Sequence, residues 1–597
     1  MRSRRKQWTA SCLAACLAVI IAVLPACSGG SNGNNPANAP ANADAPAANE
    51  AAANEQAAAG EEPAPADPLG KYAETVEYTT GLAVNNERIQ KLPAGATLDN
   101  NAATKFAEDM LNVKTKIVWQ VPGEGTALRD KLNVVVASND LPDILQVTDL
   151  NVLKQLVKNG MVEDLTQVFN DYALPSIKDY HQSVDNKSLE LATFDDKLYA
   201  IPNVYSVADG LNMVWIRTDW LEKVGMQGPQ NLDDLAAIAK AFIEKDPGGN
   251  GAGKTIGMLM SSNPLSTGNL HSLGPVVYNY YGTPANMWVK GEDGTIVNSL
   301  NLPSTKNGLA KIAEWYKAGL IDKEFALRND DKNNELVKNG KAGIMFHAWW
   351  GPFWPLSDPL KLKPEDAKID WKPFVLKNVN GNVQLTVGAP SWNYVVVKKG
   401  FKHPELAMKL VNLAQEVKER KYPEMNALLD AAQADGGYKD SGLMWPLSND
   451  ITATPGDEII RSFKMYKEVY DGKATRESLP VDKQQQYDKV KQYMDSIKDD
   501  PAKRNLDVWA DYRGWGPEGS GAAALADANV KLAFAAFSGT TKTMETKNQV
   551  LEDKAKDAFM KIITGKETID YYDTFLKEWN DLGGAEITRE VNEAAQK

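Results

Sequence analysis

From Val76 onward the chain alternates short apolar runs with helical periods, and that order restricts its fold more than any single motif. Val76-Glu77-Tyr78-Thr79, Thr115 to Trp119, Asp143 to Val147 and Ile344-Met345-Phe346 read as strands. Between them, Leu232, Leu235, Ile238 and Phe242 recur at helical spacing, with Asn231 placed to cap the start and Pro247 beyond the end. Strands separated by helices predict α/β sheets with parallel pairing. After about residue 400 the pattern is nearly all helical, over 403–417, 457–471, 480–498, 544–564 and 567–581. This predicts a helix-rich C-terminal region packed around one of the α/β domains. Cys12, Cys16 and Cys27 are the only cysteines, so disulfides cannot staple the body and apolar burial must hold it. A body of this length predicts two or more domains.

The N-terminus is of another kind. Arg2, Arg4, Arg5 and Lys6 precede an apolar run from Leu13 to Val23, which ends in Leu24-Pro25-Ala26-Cys27. The run is too short for a spanning helix and reads as a signal peptide, residues 1–26. A cysteine directly after Leu-Pro-Ala resembles the lipobox of bacterial lipoproteins. The resemblance implies lipidation of Cys27, cleavage before it, and retention at the extracellular face of the cell membrane. The plainer alternative is an unlipidated cysteine near an ordinary cleavage site. From Ser28 to Gly70 the composition is Ala, Asn, Pro, Glu and Gly without an aromatic residue until the fold begins. Such a stretch cannot bury enough apolar area to offset its ordering entropy, so 27–70 reads as a disordered tether. The chain carries a formal charge of −12; residues 1–26 hold four basic and no acidic side chains, which leaves −16 beyond them. A spread acidic surface argues against nucleic acid, whose phosphates need clustered Lys and Arg.

Three segments carry a family resemblance: Asp196-Lys197-Leu198-Tyr199-Ala200-Ile201-Pro202, Trp215-Ile216-Arg217-Thr218-Asp219-Trp220-Leu221, and Gly340 to Trp350. Their order and spacing resemble the extracellular solute-binding proteins of family 1, the capture subunits of carbohydrate ABC importers. Leu141-Pro142-Asp143-Ile144, Trp315 to Asp322 and Glu578 to Gly584 extend the likeness over about 75–595. The resemblance implies an α/β, two-lobed, hinge-linked fold of the periplasmic-binding-protein type II, with ligand in the cleft. Proline disfavours helix at Ile201, so Ala200-Ile201-Pro202-Asn203 suits an extended crossing between lobes. On this reading Gly343 to Phe346 returns the chain to lobe one and Asn393 to Val397 leads back to lobe two. Lobe one is then 71–204 plus 336–388, and lobe two 205–335 plus 389–597.

Candidate ligand contacts follow. Trp349, Trp350 and Trp354 come after an extended apolar run, which would deliver them to a cleft edge. Sugars present an apolar C–H face and a rim of hydroxyls, which flat aromatic rings and polar groups bind well. The alternative is that these rings are buried core. Trp392, Asn203 and Tyr205 lie at the supposed crossings. Asp149 lies just past a strand and could accept sugar hydroxyls or cap a helix. Arg513 and Trp515 read as a loop that caps the cleft or simply packs.

Gly248 to Thr255 satisfies the nucleotide-binding P-loop pattern letter for letter. That motif needs a strand before it and a helix after it, and here the expected order is reversed, so nucleotide is excluded. The same loop resembles a calcium loop of some relatives, to which Asp246, Asn250 and the Ala252 carbonyl could give oxygens. Gly248, Lys254 and Gly257 occupy positions where acids or oxygens are wanted, so a calcium-free turn is the favoured reading and no cofactor is expected. His181, His271, His347 and His403 are too dispersed for a metal motif, and no enzyme signature occurs. Taken together these features imply a monomeric, lipid-anchored protein that captures a carbohydrate and delivers it to a permease. A ligand-presenting sensor and a lipoprotein glycosidase are the alternatives.

Overall fold

Two segments far apart in sequence build the first half of the body. Strand Val76–Val84 pairs in parallel with Val113–Pro122, and helix Ala102–Leu111 makes the crossover between them. Asn101 starts that helix by accepting hydrogen bonds from the backbone of Ala103 and Thr104. Strand Ile144–Val147 is tied to the first pair through Asp143, whose carboxylate accepts from the Thr79 amide at 2.9 Å and hydroxyl at 2.7 Å. Its own partner is Tyr394–Val397, antiparallel, which also pairs with Ile201–Pro202. Ile144, Val147, Val396 and Val397 are buried with Leu153, Leu406 and Leu413 in one core.

The computed structural model describes residues 66–595, apart from 85–88, 90, 91, 124, 267, 269, 365, 367 and 435–450. All lie in the unit Pro65–Lys597. The export signal, Cys27 and the tether as far as residue 65 fall outside the described residues. Among the described residues no helix is long and apolar enough to cross a membrane.

The second half is organised by strand Met213–Arg217. It lies between Ile344–His347 and Trp371–Phe374, antiparallel to both. Side chains alternate across a strand, and here both faces are buried. Val214, Ile216, Ile344 and Phe346 face a core containing Trp220, Phe242, Trp315 and Phe559. Met213, Trp215 and Met345 face another, with Trp371, Phe463, Trp509 and Trp515. Burying rings of this size contributes about 1.5–3 kcal/mol each. The helices Lys542–Ile563 and Tyr571–Trp579 cover the first face; Glu458–Tyr470, Val481–Ile497 and Gly521–Asp527 cover the second. Gly343 precedes this sheet because a Cβ there would stand 2.2 Å from the Trp220 ring.

Helix Leu232–Lys245 forms as its spacing predicts, capped by Asn231, with Leu232, Leu235, Ile238 and Phe242 buried. The C-terminal helices also follow the sequence pattern. Two expectations are corrected. Parallel pairing holds for Val76–Val84 with Val113–Pro122 and for Gln384–Val387 with Lys531–Phe534, whereas both three-stranded sheets are antiparallel. Their partners come from distant segments, so the local strand–helix–strand order does not set direction. The lobe boundaries change as well. Residues 336–388 belong with strand Met213–Arg217 in the second half, and 394–397 with helix Glu405–Lys418 in the first. The chain returns to the first half at 389–394, not at Gly343.

Three crossings join the halves side by side. The Asn203 amide donates to Asn393 O at 2.9 Å, and the Thr454 amide to Val204 O at 2.8 Å. The Asn203 side-chain oxygen is buried and accepts from Ser391 Oγ (2.9 Å) and the amides of Trp392 (3.2 Å) and Asn393 (3.1 Å). Removing that acceptor leaves buried donors unpaired, which costs about 1–3 kcal/mol. Asn203→Ala is therefore expected to lower the unfolding free energy from urea denaturation by that amount; an unchanged value would show that the crossing does not depend on this side chain.

Candidate functional site

The first and second crossings together carry an aromatic pair. Tyr205 is held by its hydroxyl, which donates to Ala389 O at 2.7 Å. Its ring lies 4.2 Å from that of Trp392 at an interplanar angle of 33°. Trp392 remains 47 % exposed, so one wide ring is fixed in place yet open to solvent. Asp149 caps helix Leu150–Lys158 by accepting from the Asn151 amide at 2.7 Å. Burial first, and then the charge of nearby Asp149 and Tyr205, push the Tyr394 phenol up to about 12. The structure thus brings Asp149, Tyr205 and Trp392 toward one place, with Asn203 holding the backbone beneath them.

Beside this crossing a cavity of about 930 Å³ opens between the halves. Leu150, Lys154 and Phe194 line it from the first half, Gln384 and Phe537 from the second, with Gly388 to Pro390 of the crossing between. Another hollow, of about 670 Å³, is lined by Tyr72 to Glu77, Asp143 and Lys398 to His403, all within the first half. Of these two, the first has walls from both halves, which is what a closing cleft requires. Sequence reasoning missed Lys154, Phe194 and Phe537. The aromatic residues in the Ala-rich run Leu532 to Phe537 were the available signal.

The tryptophans after strand Ile344–His347 divide by exposure. Trp349 is half-buried, donates from Nε1 to Asp209 Oδ1 at 3.2 Å, and meets Trp515 edge-on at 4.7 Å. Trp350 stands edge-on to buried His347 at 4.2 Å. Trp354 is 43 % exposed and Phe353 37 %. The expected capping loop at Arg513 and Trp515 is instead helix Trp509–Trp515. Arg513 is buried there and donates from Nε to Asp370 Oδ1 at 2.9 Å and from Nη2 to Oδ2. Trp515 packs 5.4 Å from Tyr466. Both are committed to the core because Asp370 stands immediately before the edge strand Trp371–Phe374 and needs a counter-ion.

The loop after helix Leu232–Lys245 is already filled. The Asp246 carboxylate accepts from the amides of Asn250 (2.9 Å) and Gly251 (2.7 Å) and from the Thr255 hydroxyl. Asn250 Oδ1 accepts from Lys341 Nζ at 3.1 Å, so an ammonium stands where a cation would. The oxygens of Asp246 and Asn250 are thus engaged by protein donors. Among the described residues no cluster of three His, Cys, Asp or Glu side chains is arranged to hold a metal. The P-loop pattern lies between this helix and an extended segment with isolated bridges at Ile256 and Met258. No helix N-terminus follows to receive phosphate.

The profile of bacterial extracellular solute-binding proteins matches residues 90–421, more than half of the chain. The chain belongs to that family. This solute-binding protein is 32 % identical over 249 residues to Lipoprotein LipO of Bacillus subtilis (strain 168), covering 41 % of this chain and 46 % of the relative. It is 29 % identical over 244 residues to the polygalacturonan/rhamnogalacturonan-binding protein YtcQ of the same organism, covering 40 % and 45 %. The matches thus span less than half the length of each relative. An extracellular solute-binding protein from Bifidobacterium longum subsp. infantis superposes with a TM-score of 0.55 at 16 % identity, over 87 % of this chain and 98 % of that one. The fold is therefore the two-lobed α/β arrangement of solute-binding proteins.

Asp209 offers a pH-dependent readout of the tryptophan cluster. Burial raises its pKa to about 6, although Ser206 Oγ (3.0 Å) and Trp349 Nε1 donate to it and oppose the shift. The unfolded carboxyl titrates near 4. Its contribution to stability is therefore complete below that value and lost as pH rises through about 6. Asp209→Asn is expected to raise the melting temperature relative to the parent at about pH 8 more than at about pH 4. Equal effects at both would contradict the burial argument.

Proposed function

We propose that this protein captures an oligosaccharide in the cavity beside Trp392 and delivers it to the permease of an ABC importer. Lipidated Cys27 would hold it at the extracellular face of the membrane, with the tether as a leash. The observation that carries this reading is the exposed, pre-stacked Tyr205–Trp392 pair at the crossing of a solute-binding protein. A sugar ring needs a rigid apolar face with hydroxyl partners nearby, and the cavity supplies Gln384 and Thr386 close by. One relative is named for binding polygalacturonan and rhamnogalacturonan. Mechanism needs no covalent step: ligand touching both halves stabilises the closed arrangement, and the permease reads closure. ATP hydrolysis would belong to another polypeptide.

Thermal shift against a panel of oligosaccharides, followed by calorimetry, tests the reading. A glycan that raises the melting temperature and is recovered intact supports capture; a glycan that is cleaved, or a shift only with another solute class, refutes it. Trp392→Ala is expected to weaken binding roughly tenfold, about 1.4 kcal/mol, with the fold unchanged because the ring is half exposed. Equal affinity would remove Trp392 from the site. In the same assay calcium is expected to leave the melting temperature unchanged, because Lys341 already occupies the loop.

A further inference from the structure

The charges around the inter-lobe cavity are unevenly matched. Lys154, Lys187 and Lys290 line it, with Asp185 and Glu190 as carboxylates. Glu190 is taken by Lys187 at 2.6 Å. Lys154 and Lys290 make no ion pair among the described residues, and Asp185 alone remains to offset them.

Lys154 is the informative one. It stands on helix Leu150–Lys158 of the first half and reaches across to the second. A Cβ built on Gly539 would lie 3.4 Å from Lys154 Nζ and 3.2 Å from the Phe537 ring. The side chain is exposed to solvent along the cavity, and the protein packed about its base lowers its pKa by desolvation. An exposed ammonium on the cavity wall with no carboxylate partner among the described residues is available to pair with an anionic ligand.

We propose that the cavity selects an acidic oligosaccharide, with Lys154 pairing with a uronic-acid carboxylate while Phe537 faces the sugar ring. This rests on the capture reading above and names its substrate class. A single ammonium matches the single charge of a carboxylate, and the hydrogen bond between them is charge-assisted. Because Lys154 belongs to one half and Phe537 to the other, the same carboxylated sugar would bridge both and favour closure.

The test uses calorimetry on the purified protein with oligogalacturonate, oligoglucuronate and alginate trisaccharides, each beside its carboxyl-reduced neutral counterpart. At least one uronate is expected to bind tenfold or more tightly than its neutral form. Lys154→Met should abolish that preference and Lys154→Arg retain it, with both variants melting cooperatively. Equal affinity for acid and neutral forms, or binding of neutral glycans alone, overturns the acidic-sugar proposal while capture stands. No binding to any glycan in the panel, acid or neutral, overturns both. A preference that survives Lys154→Met overturns the role of Lys154.

Discussion

One side-chain oxygen ties the crossings between the halves together. Asn203 accepts from the Ser391 hydroxyl and from two consecutive amides of the returning chain, so the first and second crossings are fixed to each other. The third joins them through the backbone of Val204 and Thr454. A buried amide oxygen with three donors is strongly held, because each donor would otherwise be desolvated without a partner. The crossings can therefore twist together but not drift apart. That restriction defines a hinge, and it also fixes the register at which Trp392 leaves the strand.

Each half is rigid for a different reason. The first has its main core spread over a parallel pair and an antiparallel trio that Asp143 and Thr79 lock together, with a small second cluster around Leu82 and Val84. The second has two cores on opposite faces of a single three-stranded sheet. A sheet buried on both sides cannot bend without disturbing both packings. The helix-rich C-terminal region supplies most of that cover.

Local periods were readable in the sequence and distant pairings were not. Asn231 and the apolar stripe behind it announce a helix because every relevant contact lies within one turn or two. The X-Pro step at Ile201 announces an extended crossing for the same reason. Strand Ile344–His347 is apolar on both faces, and such a run reads the same in either half. Its true partner, Met213–Arg217, lies about 130 residues earlier in the chain, and nothing in its composition names that partner. Arg513 failed as a ligand candidate through the same gap, since Asp370 is 143 positions away. The cavity was the least legible feature. Lys154 is an ordinary helix lysine in sequence, and only the fold sets it against Phe537 and Gly539.

The placement of the aromatic pair gives the hinge its purpose. Trp392 is exposed, yet its amide is one of the donors that Asn203 holds. Its neighbour Tyr205 is anchored through Ala389 on the same crossing. A ligand resting on this pair touches the axis of motion rather than either wall, so this contact alone has equal strength in open and closed states and cannot shift the balance. Closure must be driven by groups on the opposing walls, which approach one another only when the halves close. Under the proposed capture function a division of labour would follow: the crossing would supply affinity, and the facing walls the differential affinity that a transporter would read.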